Sequence, residues 1–155
     1  MIRNNGGEIT SFDGDRVMAV YIGKCKNTSA ARTALQINHV VNECVNPCIR
    51  EKYPNTTYVL EQAVGIDTSK ILVARTGIRG GNDLVWVGDA ANKAAKMCSI
   101  RDDLYTTYIT ANVFFQLNNA ALFGGNPTEL MWSRIWWPEK KQYIYASNWL
   151  WKPNF

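Results

Sequence analysis

From Gly88 to Lys96 the chain reads G-D-A-A-N-K-A-A-K, directly after the apolar run Leu84–Val87. The paired alanines make this stretch a strong helix former with almost no side-chain bulk. Such a helix can lie close against the strand that feeds it, so the segment specifies a strand, a glycine turn and a tightly packed helix. Asn92 and Lys96 are four residues apart and leave one face of that helix a turn apart. An amide beside a cation suits holding a sugar and stabilising charge that develops on a phosphate. Taken alone, N-x-x-x-K on a helix is a solvated polar face, and a second signature upstream changes that reading.

That signature is the span from Gly6 to Tyr21, G-G-E-I-T-S-F-D-G-D-R-V-M-A-V-Y. Asp13-Gly14 is a hairpin signal, because the tight turns that join twisted strands need positive φ. A short strand, Glu8 to Phe12, precedes it. The mostly apolar run Val17 to Ile22 follows, as in a strand buried on both faces. Asp15 then emerges at the hairpin rim, a rigid place from which a carboxylate can hold a divalent cation.

Together the two stretches resemble the catalytic domain of the class III nucleotidyl cyclases. That family writes its first stretch roughly as G-G-x-x-x-K-x-x-G-D-x-x-M-A-x-F, which residues 6 to 21 follow except at the lysine. Its second reads roughly as Y-x-V-x-G-D-x-V-N-x-A-A-R, which residues 84 to 96 follow with a few substitutions. Between them, Val64-Gly65-Ile66-Asp67-Thr68-Ser69 is similar to the family's G-I-x-x-G strand and turn without its final glycine. Order and spacing are kept over about residues 6 to 117.

The resemblance implies roles. Asp15 matches the second of two metal-binding aspartates, Asn92 the asparagine that orients the ribose, and Lys96 the arginine that stabilises charge at the α-phosphate. Lysine keeps the charge and loses the planar fork of donors. Two divalent ions per site, Mg2+ or Mn2+, are implied. So is in-line attack of the 3′-hydroxyl on the α-phosphorus, giving a 3′,5′-cyclic nucleotide and pyrophosphate. Catalysis of this kind is positioning and electrostatics.

The positions that read a purine base depart from the family. Ser11, beside Phe12, stands where adenylate cyclases carry Lys and guanylate cyclases Glu; Val85 stands where they carry Asp or Thr, or Cys. A short hydroxyl and an isopropyl group supply none of the charged or amide-like contacts that discriminate a purine edge. The stretch Thr76–Gly88 running into A-A-N-K-A-A-K resembles instead the bacterial anti-phage pyrimidine cyclases of Pycsar systems, where lysine at position 96 is also at home. This implies a uridylate cyclase, UTP favoured over CTP, whose product a separate effector reads. A purine cyclase, and a degenerate cyclase domain that binds a nucleotide or scaffolds a partner, stand as alternatives.

The family's first metal aspartate lies on a strand a few dozen residues before the G-G stretch. This chain begins at Met1, so its single catalytic domain, residues 1–155, is expected to lack that strand. If the chain is complete, one carboxylate would hold both ions and little cyclase activity is expected.

A 155-residue chain that is 46% hydrophobic can bury one core without disulfides or metals. No run reaches the roughly 20 apolar residues of a membrane span and no signal-peptide pattern opens the chain, so a cytoplasmic protein is expected. A net charge of +4 without a basic tract suits a triphosphate and argues against a nucleic-acid partner. Cys25, Cys44, Cys48 and Cys98 match no zinc spacing and read as reduced, semi-buried residues.

The periodicity predicts strands at about 8–12 and 16–22, then a helix from Thr28 or Ser29 with Ala34, Ile37, Val41 and Cys44 facing the sheet, kinked or ended at Pro47. Further strands follow at about 57–66, 70–76, 84–87 and 105–109. A Gly-rich turn is expected at 77–81, and a short helix from Thr110. This order is an α+β arrangement, the ferredoxin-like split βαβ palm with an antiparallel-rich sheet and a terminal hairpin. Around that hairpin, at Pro138–Lys141, Trp132, Trp136, Trp137, Trp149 and Trp151 gather beside Tyr143 and Tyr145; they read as core or dimer contacts. Arg134, Lys140 and Lys141 are candidates for the family's triphosphate-gripping lysine. The resemblance further implies a homodimer with composite sites, the Asn92/Lys96 helix of one subunit facing the partner's Asp15 hairpin.

Overall fold

The computed structural model describes residues 1–76 and 83–154. In chain order the elements are β1 (Gly7–Asp13), β2 (Arg16–Tyr21), α1 (Lys26–Val40), α2 (Asn46–Lys52), β3 (Val64–Ile66), β4 (Leu72–Thr76), β5 (Asp83–Val87) and α3 (Asp89–Met97). Then come β6 (Thr107–Thr110), α4 (Ala111–Phe114), α5 (Asn119–Leu122), β7 (Phe123–Gly124), β8 (Glu129–Leu130), β9 (Ser133–Trp137) and β10 (Gln142–Ser147). The Gly-rich turn expected at 77–81 lies outside the described residues.

The central sheet runs β3-β6-β10-β9. β3 and β6 are parallel, β6 and β10 antiparallel, and β10 and β9 antiparallel with Trp137 opposite Gln142. All four residues of β6 are buried. Alternation along a strand sends successive side chains to opposite faces. Tyr108 therefore joins Met97, Trp137 and Ile144 on one face, while Ile109 joins Ala31, Leu35, Val113 and Trp132 on the other. Helix α3 covers the first face and α1 the second. This is the mixed α+β, antiparallel-rich architecture expected from the sequence, with its terminal hairpin.

α3 lies directly on β3. A methyl group on Gly65 would sit 2.2 Å from the Ala94 carbonyl oxygen and 2.8 Å from Met97 Cβ, so the lack of a side chain at Gly65 is what permits the approach. On the far face, buried Asn38 donates to the carbonyl oxygens of Asn148 (2.8 Å) and Trp149 (3.1 Å), and the Trp151 N–H donates to Leu35 O (3.1 Å). These bonds tie the C-terminal tail along α1 and satisfy its backbone.

Several elements differ from expectation for identifiable reasons. α1 begins at Lys26 without a side-chain cap, because the Thr28 hydroxyl accepts from the Asn118 N–H instead (3.1 Å). Ala34 is buried and Ile37 and Val41 are half-buried, but Cys44 is exposed; the wide turn over Val41–Val45 changes the helical period before it. The regular part of α1 ends at Val40 and passes through the wide turn Val41–Val45 into α2, where Pro47 sits in the first turn and its missing N–H is tolerated. The strand expected from residue 57 shrinks to Val64–Ile66, since Asn46 substitutes for a neighbouring strand: the Leu60 N–H donates to its Oδ1 (2.8 Å) and its Nδ2 donates to Leu60 O (3.1 Å).

The largest correction concerns β2. It is not buried on both faces: among the described residues it pairs with β1 alone, Val17 is 47% exposed and Ile22 beyond its end 81%. The cysteines also differ from the semi-buried expectation, with Cys25, Cys44 and Cys48 exposed and Cys98 alone half-buried; all four are free thiols.

Candidate active site

Helix α3 buries Ala90 and Met97 and leaves Asn92 and Lys96 exposed on its outer side. Its start is built by the preceding segment. Gly88 leaves no room for a side chain, because a Cβ would lie 2.5 Å from Ile71 Cγ2. Ser69, standing where the cyclase pattern has its final glycine, accepts a hydrogen bond from the Ala90 N–H (3.2 Å). That bond satisfies one of the unpaired donors at the helix start. Asp89 pairs with Lys93 one turn on (2.6 Å), and this contact raises the Lys93 pKa. At the end of β3, Asp67 accepts from the Thr110 hydroxyl. Burial pushes the Cys98 thiol up, against weaker opposing pulls from its bond to the Gly65 N–H and from the charges of Arg16 and Arg101.

Lys96 does not point freely into solvent. Its ammonium lies 2.6 Å from Glu139 Oε1, with the two side chains 46% and 52% exposed. Glu139 belongs to the short turn Pro138–Lys140 between β9 and β10, which closes at Lys141 in a left-handed conformation (φ 48°). This contact brings the terminal hairpin turn, with Lys140 and Lys141, next to the Asn92/Lys96 face. Arg134, the third candidate cation, stacks instead over the Tyr143 ring at 3.8 Å. Sequence reasoning named the cations of this turn and missed Glu139; the signal available was an acid placed inside W-P-E-K-K.

The Asp15 hairpin is docked at its base and projects at its tip. Tyr21 packs on Gly7, where a Cβ would fall 2.5 Å from its ring, and its hydroxyl donates to Thr33 Oγ1 (2.8 Å). Asn5 Nδ2 reaches Thr33 Oγ1 (2.9 Å) and Gln36 Oε1 (2.7 Å) on the same helix. At the other end Asp13 pairs with Arg16, so the turn residues are Gly14 and Asp15, one later than expected. Only Gly14 has positive φ (59°), the pattern of a turn with glycine first. Asp15 thus sits in the turn itself, exposed and with no hydrogen-bond or ion-pair partner among the described residues.

Ser11 and Phe12 lie on the distal half of β1 and are exposed, Phe12 to 72%. Val85 lies on β5, opposite Ala74, and is 41% exposed. The β1–β2 and β4–β5 ribbons are separate two-stranded sheets, so within one chain the expected base-contacting residues occupy two different ribbons. The β4–β5 ribbon carries exposed Leu72, Val73, Leu84 and Val87 as well, and its Trp86 Nε1 is buried without a partner among the described residues. Of the C-terminal tryptophans, Trp132 and Trp137 are buried core, Trp149 and Trp151 pack against the core, and Trp136 is half exposed. Among the described residues no group of three His, Cys, Asp or Glu side chains is placed to hold a metal ion, and no helix is long and apolar enough to cross a membrane.

This architecture recurs in known catalytic domains. It superposes on a bacterial light-regulated adenylyl cyclase with a TM-score of 0.73 at 24% identity, covering 95% of this chain and 40% of that one. It superposes on the guanylyl cyclase Cya2 with a TM-score of 0.73 at 17% identity, covering 98% and 75%. The fold is that of these nucleotide cyclase structures.

Sequence similarity narrows the branch. The chain is 46% identical over 151 residues to a uridylate cyclase of Burkholderia cepacia and 43% identical over 153 residues to one of Xanthomonas perforans, in each case 64% of the relative's length. It is 34% identical over 159 residues to one of Rhodovulum sp., 66% of that protein. The chain thus spans just under two thirds of the length of these curated relatives, and it is a homologue of proteins named uridylate cyclase. No protein-family model matches it.

Proposed function

We propose that this chain is the catalytic domain of a pyrimidine nucleotidyl cyclase that converts UTP, in preference to CTP, into the 3′,5′-cyclic monophosphate and pyrophosphate. The observation that carries the reading is the exposed Asn92/Lys96 pair on α3, with Lys96 drawn against the turn that bears Lys140 and Lys141. That face offers an amide for the ribose and an ammonium for the α-phosphate, and the adjoining turn carries two further cations suited to the β- and γ-phosphates. The reaction forms a bond from O3′ to the α-phosphorus as the bond to the pyrophosphate oxygen breaks; pyrophosphate departs and the 3′-hydroxyl proton passes to solvent. Lys96 acts as negative charge builds on the non-bridging α-oxygens, and Asn92 holds the ribose so that O3′ lies in line. Such positioned charge stabilisation is worth several kcal/mol in comparable sites.

Asp15 fits one part of a metal centre. A Mg2+-type ion takes one or two carboxylates together with phosphate oxygens, and Asp15 offers an exposed carboxylate with no partner among the described residues. The ion, Mg2+ or Mn2+, would neutralise triphosphate charge and make the 3′-hydroxyl more acidic.

The reading includes a homodimer. The apolar side chains of the β4–β5 ribbon, with a Trp86 Nε1 that has no partner among the described residues, favour cover by a second copy. Ser11, Phe12 and Val85 would then line a base pocket without the charged groups that select purines. Four free thiols accord with a cytoplasmic location, and a small diffusible product accords with a second messenger read by a separate effector in anti-phage defence.

The protein incubated with each of the four ribonucleoside triphosphates and Mn2+, with products resolved by mass spectrometry, is expected to yield cyclic UMP predominantly. A purine cyclic nucleotide as the main product would overturn the base assignment. No cyclic product from any of the four would overturn the enzyme assignment.

A further inference from the structure

We infer that Glu139 is a latch on Lys96: it holds the ammonium at the hairpin turn until the α-phosphate of the nucleotide displaces it. The inference rests on the proposed role of Lys96 and adds a residue that the cyclase pattern does not supply.

The contact joins residues 43 apart in sequence, at 2.6 Å, between the outer face of α3 and the tip of the terminal hairpin. Neither end is free to wander. Lys96 is set by a helix seated on Gly65, and Glu139 by a turn whose first residue is proline and whose base is the buried Trp137. The other lysine on α3, Lys93, is held by Asp89, so Glu139 is the only carboxylate on Lys96 among the described residues. Lys140 and Lys141 follow Glu139 directly, giving a carboxylate embedded among cations suited to a triphosphate.

A carboxylate in that place opposes the ligand twice: it occupies the ammonium that the α-phosphate needs, and it repels the phosphate oxygens. Substrate binding therefore exchanges one oxygen partner of Lys96 for another. Exposed ion pairs of this kind change an equilibrium by about two- to fivefold, and the effect fades as salt screens it. The latch thus raises the nucleotide concentration needed to fill the site, without a part in the chemical step.

The test is Glu139→Gln, isosteric and exposed. KM for UTP should fall by about two- to fivefold with kcat unchanged within about twofold, and the difference should shrink between low and high salt. Calorimetric binding of 3′-deoxy-UTP, which lacks the attacking hydroxyl, should show the same tightening without turnover. In a Lys96→Ala background, Glu139→Gln should tighten that binding less than in the wild-type protein. A fall in kcat at constant KM would overturn the latch, because Glu139 would then orient Lys96 for the reaction; unchanged binding would overturn it as well. Wild-type turnover by Lys96→Ala alone would instead remove the reading on which the inference stands, an outcome separable from a silent Glu139→Gln beside an inactive Lys96→Ala.

Discussion

Gly65→Ala tests whether the seating of α3 on the sheet governs the site. The added methyl would stand 2.2 Å from the Ala94 carbonyl oxygen, 2.8 Å from Met97 Cβ and 3.0 Å from the Cys98 backbone nitrogen. Two of these three obstacles are backbone atoms, so no rotamer change relieves them. Ordinary contact begins near 3.4 Å, which requires α3 to retreat from β3 by about 1 Å, the difference between the two separations. Overpacking of a tight core contact costs about 1–3 kcal/mol. In a domain of this size that corresponds to a fall in Tm of about 2–4 °C per kcal/mol. The same retreat carries Asn92 and Lys96 outward with the helix, and a misplacement of about 1 Å at a reacting centre can cost about a hundredfold in rate. Thermal denaturation and a UTP cyclisation assay on the same preparation read both effects. A Gly65→Ala protein with unchanged Tm and wild-type kcat would refute the close seating of α3 on β3 and the dependence of the site upon it.

Two further outcomes follow from the geometry. If sites are shared across a symmetric dimer, an equal mixture of Asp15→Ala and Lys96→Ala chains should recover about a quarter of wild-type activity, since half the dimers are mixed and each of those has one intact site; no recovery after subunit exchange would argue for sites contained in one chain. Tyr108 is fully buried, its hydroxyl donates to Tyr105 O (2.8 Å), and burial pushes its pKa up to about 12. A folded pKa above the unfolded value of about 10 means that its contribution is complete below pH ~10 and is lost as pH rises towards 12. Denaturation midpoints should therefore fall more steeply over that window in the wild type than in Tyr108→Phe, and parallel profiles would refute the assignment.

What was legible beforehand was whatever depends on near neighbours. The strand–glycine–alanine helix from Leu84 to Lys96 and the hairpin about Gly14 are local, and both are present. The terminal hairpin was legible for the same reason: W-W-P-E-K-K is turn chemistry between two aromatic strands. Two of the misreadings, the cap of α1 and the length of the strand before Val64, involve a partner distant in sequence. Asn46 standing in for a strand beside Leu60, Thr28 accepting from Asn118, and Asn38 holding the tail at Asn148 and Trp149 are polar side chains spent on remote backbone. Periodicity carries no trace of them. The turn shifted by one residue because only its first central position requires positive φ, and glycine occupies that position here rather than the second.

The site divides along the same line. Asn92 and Lys96 share a face because the helix period puts them there, whereas Glu139 reaches Lys96 only through the packing of the terminal hairpin beside α3. The reading of β2 went wrong in an informative way. An apolar run indicates that side chains will be covered, not what covers them, and β2 is covered in part by β1 and by the docking of Tyr21 on α1. Val17 and Ile22 remain exposed, as do Phe12 on β1 and Leu72, Val73, Leu84, Val85 and Val87 on the second ribbon. Two ribbons with apolar side chains open to solvent are costly in a lone chain, since each such side chain forgoes about 1–3 kcal/mol of burial. That cost is relieved if the ribbons meet a second copy, as the proposed homodimer with shared sites requires. The sequence feature misread as a buried strand is thus the physical ground for expecting shared sites, and the mixed-chain assay measures that directly.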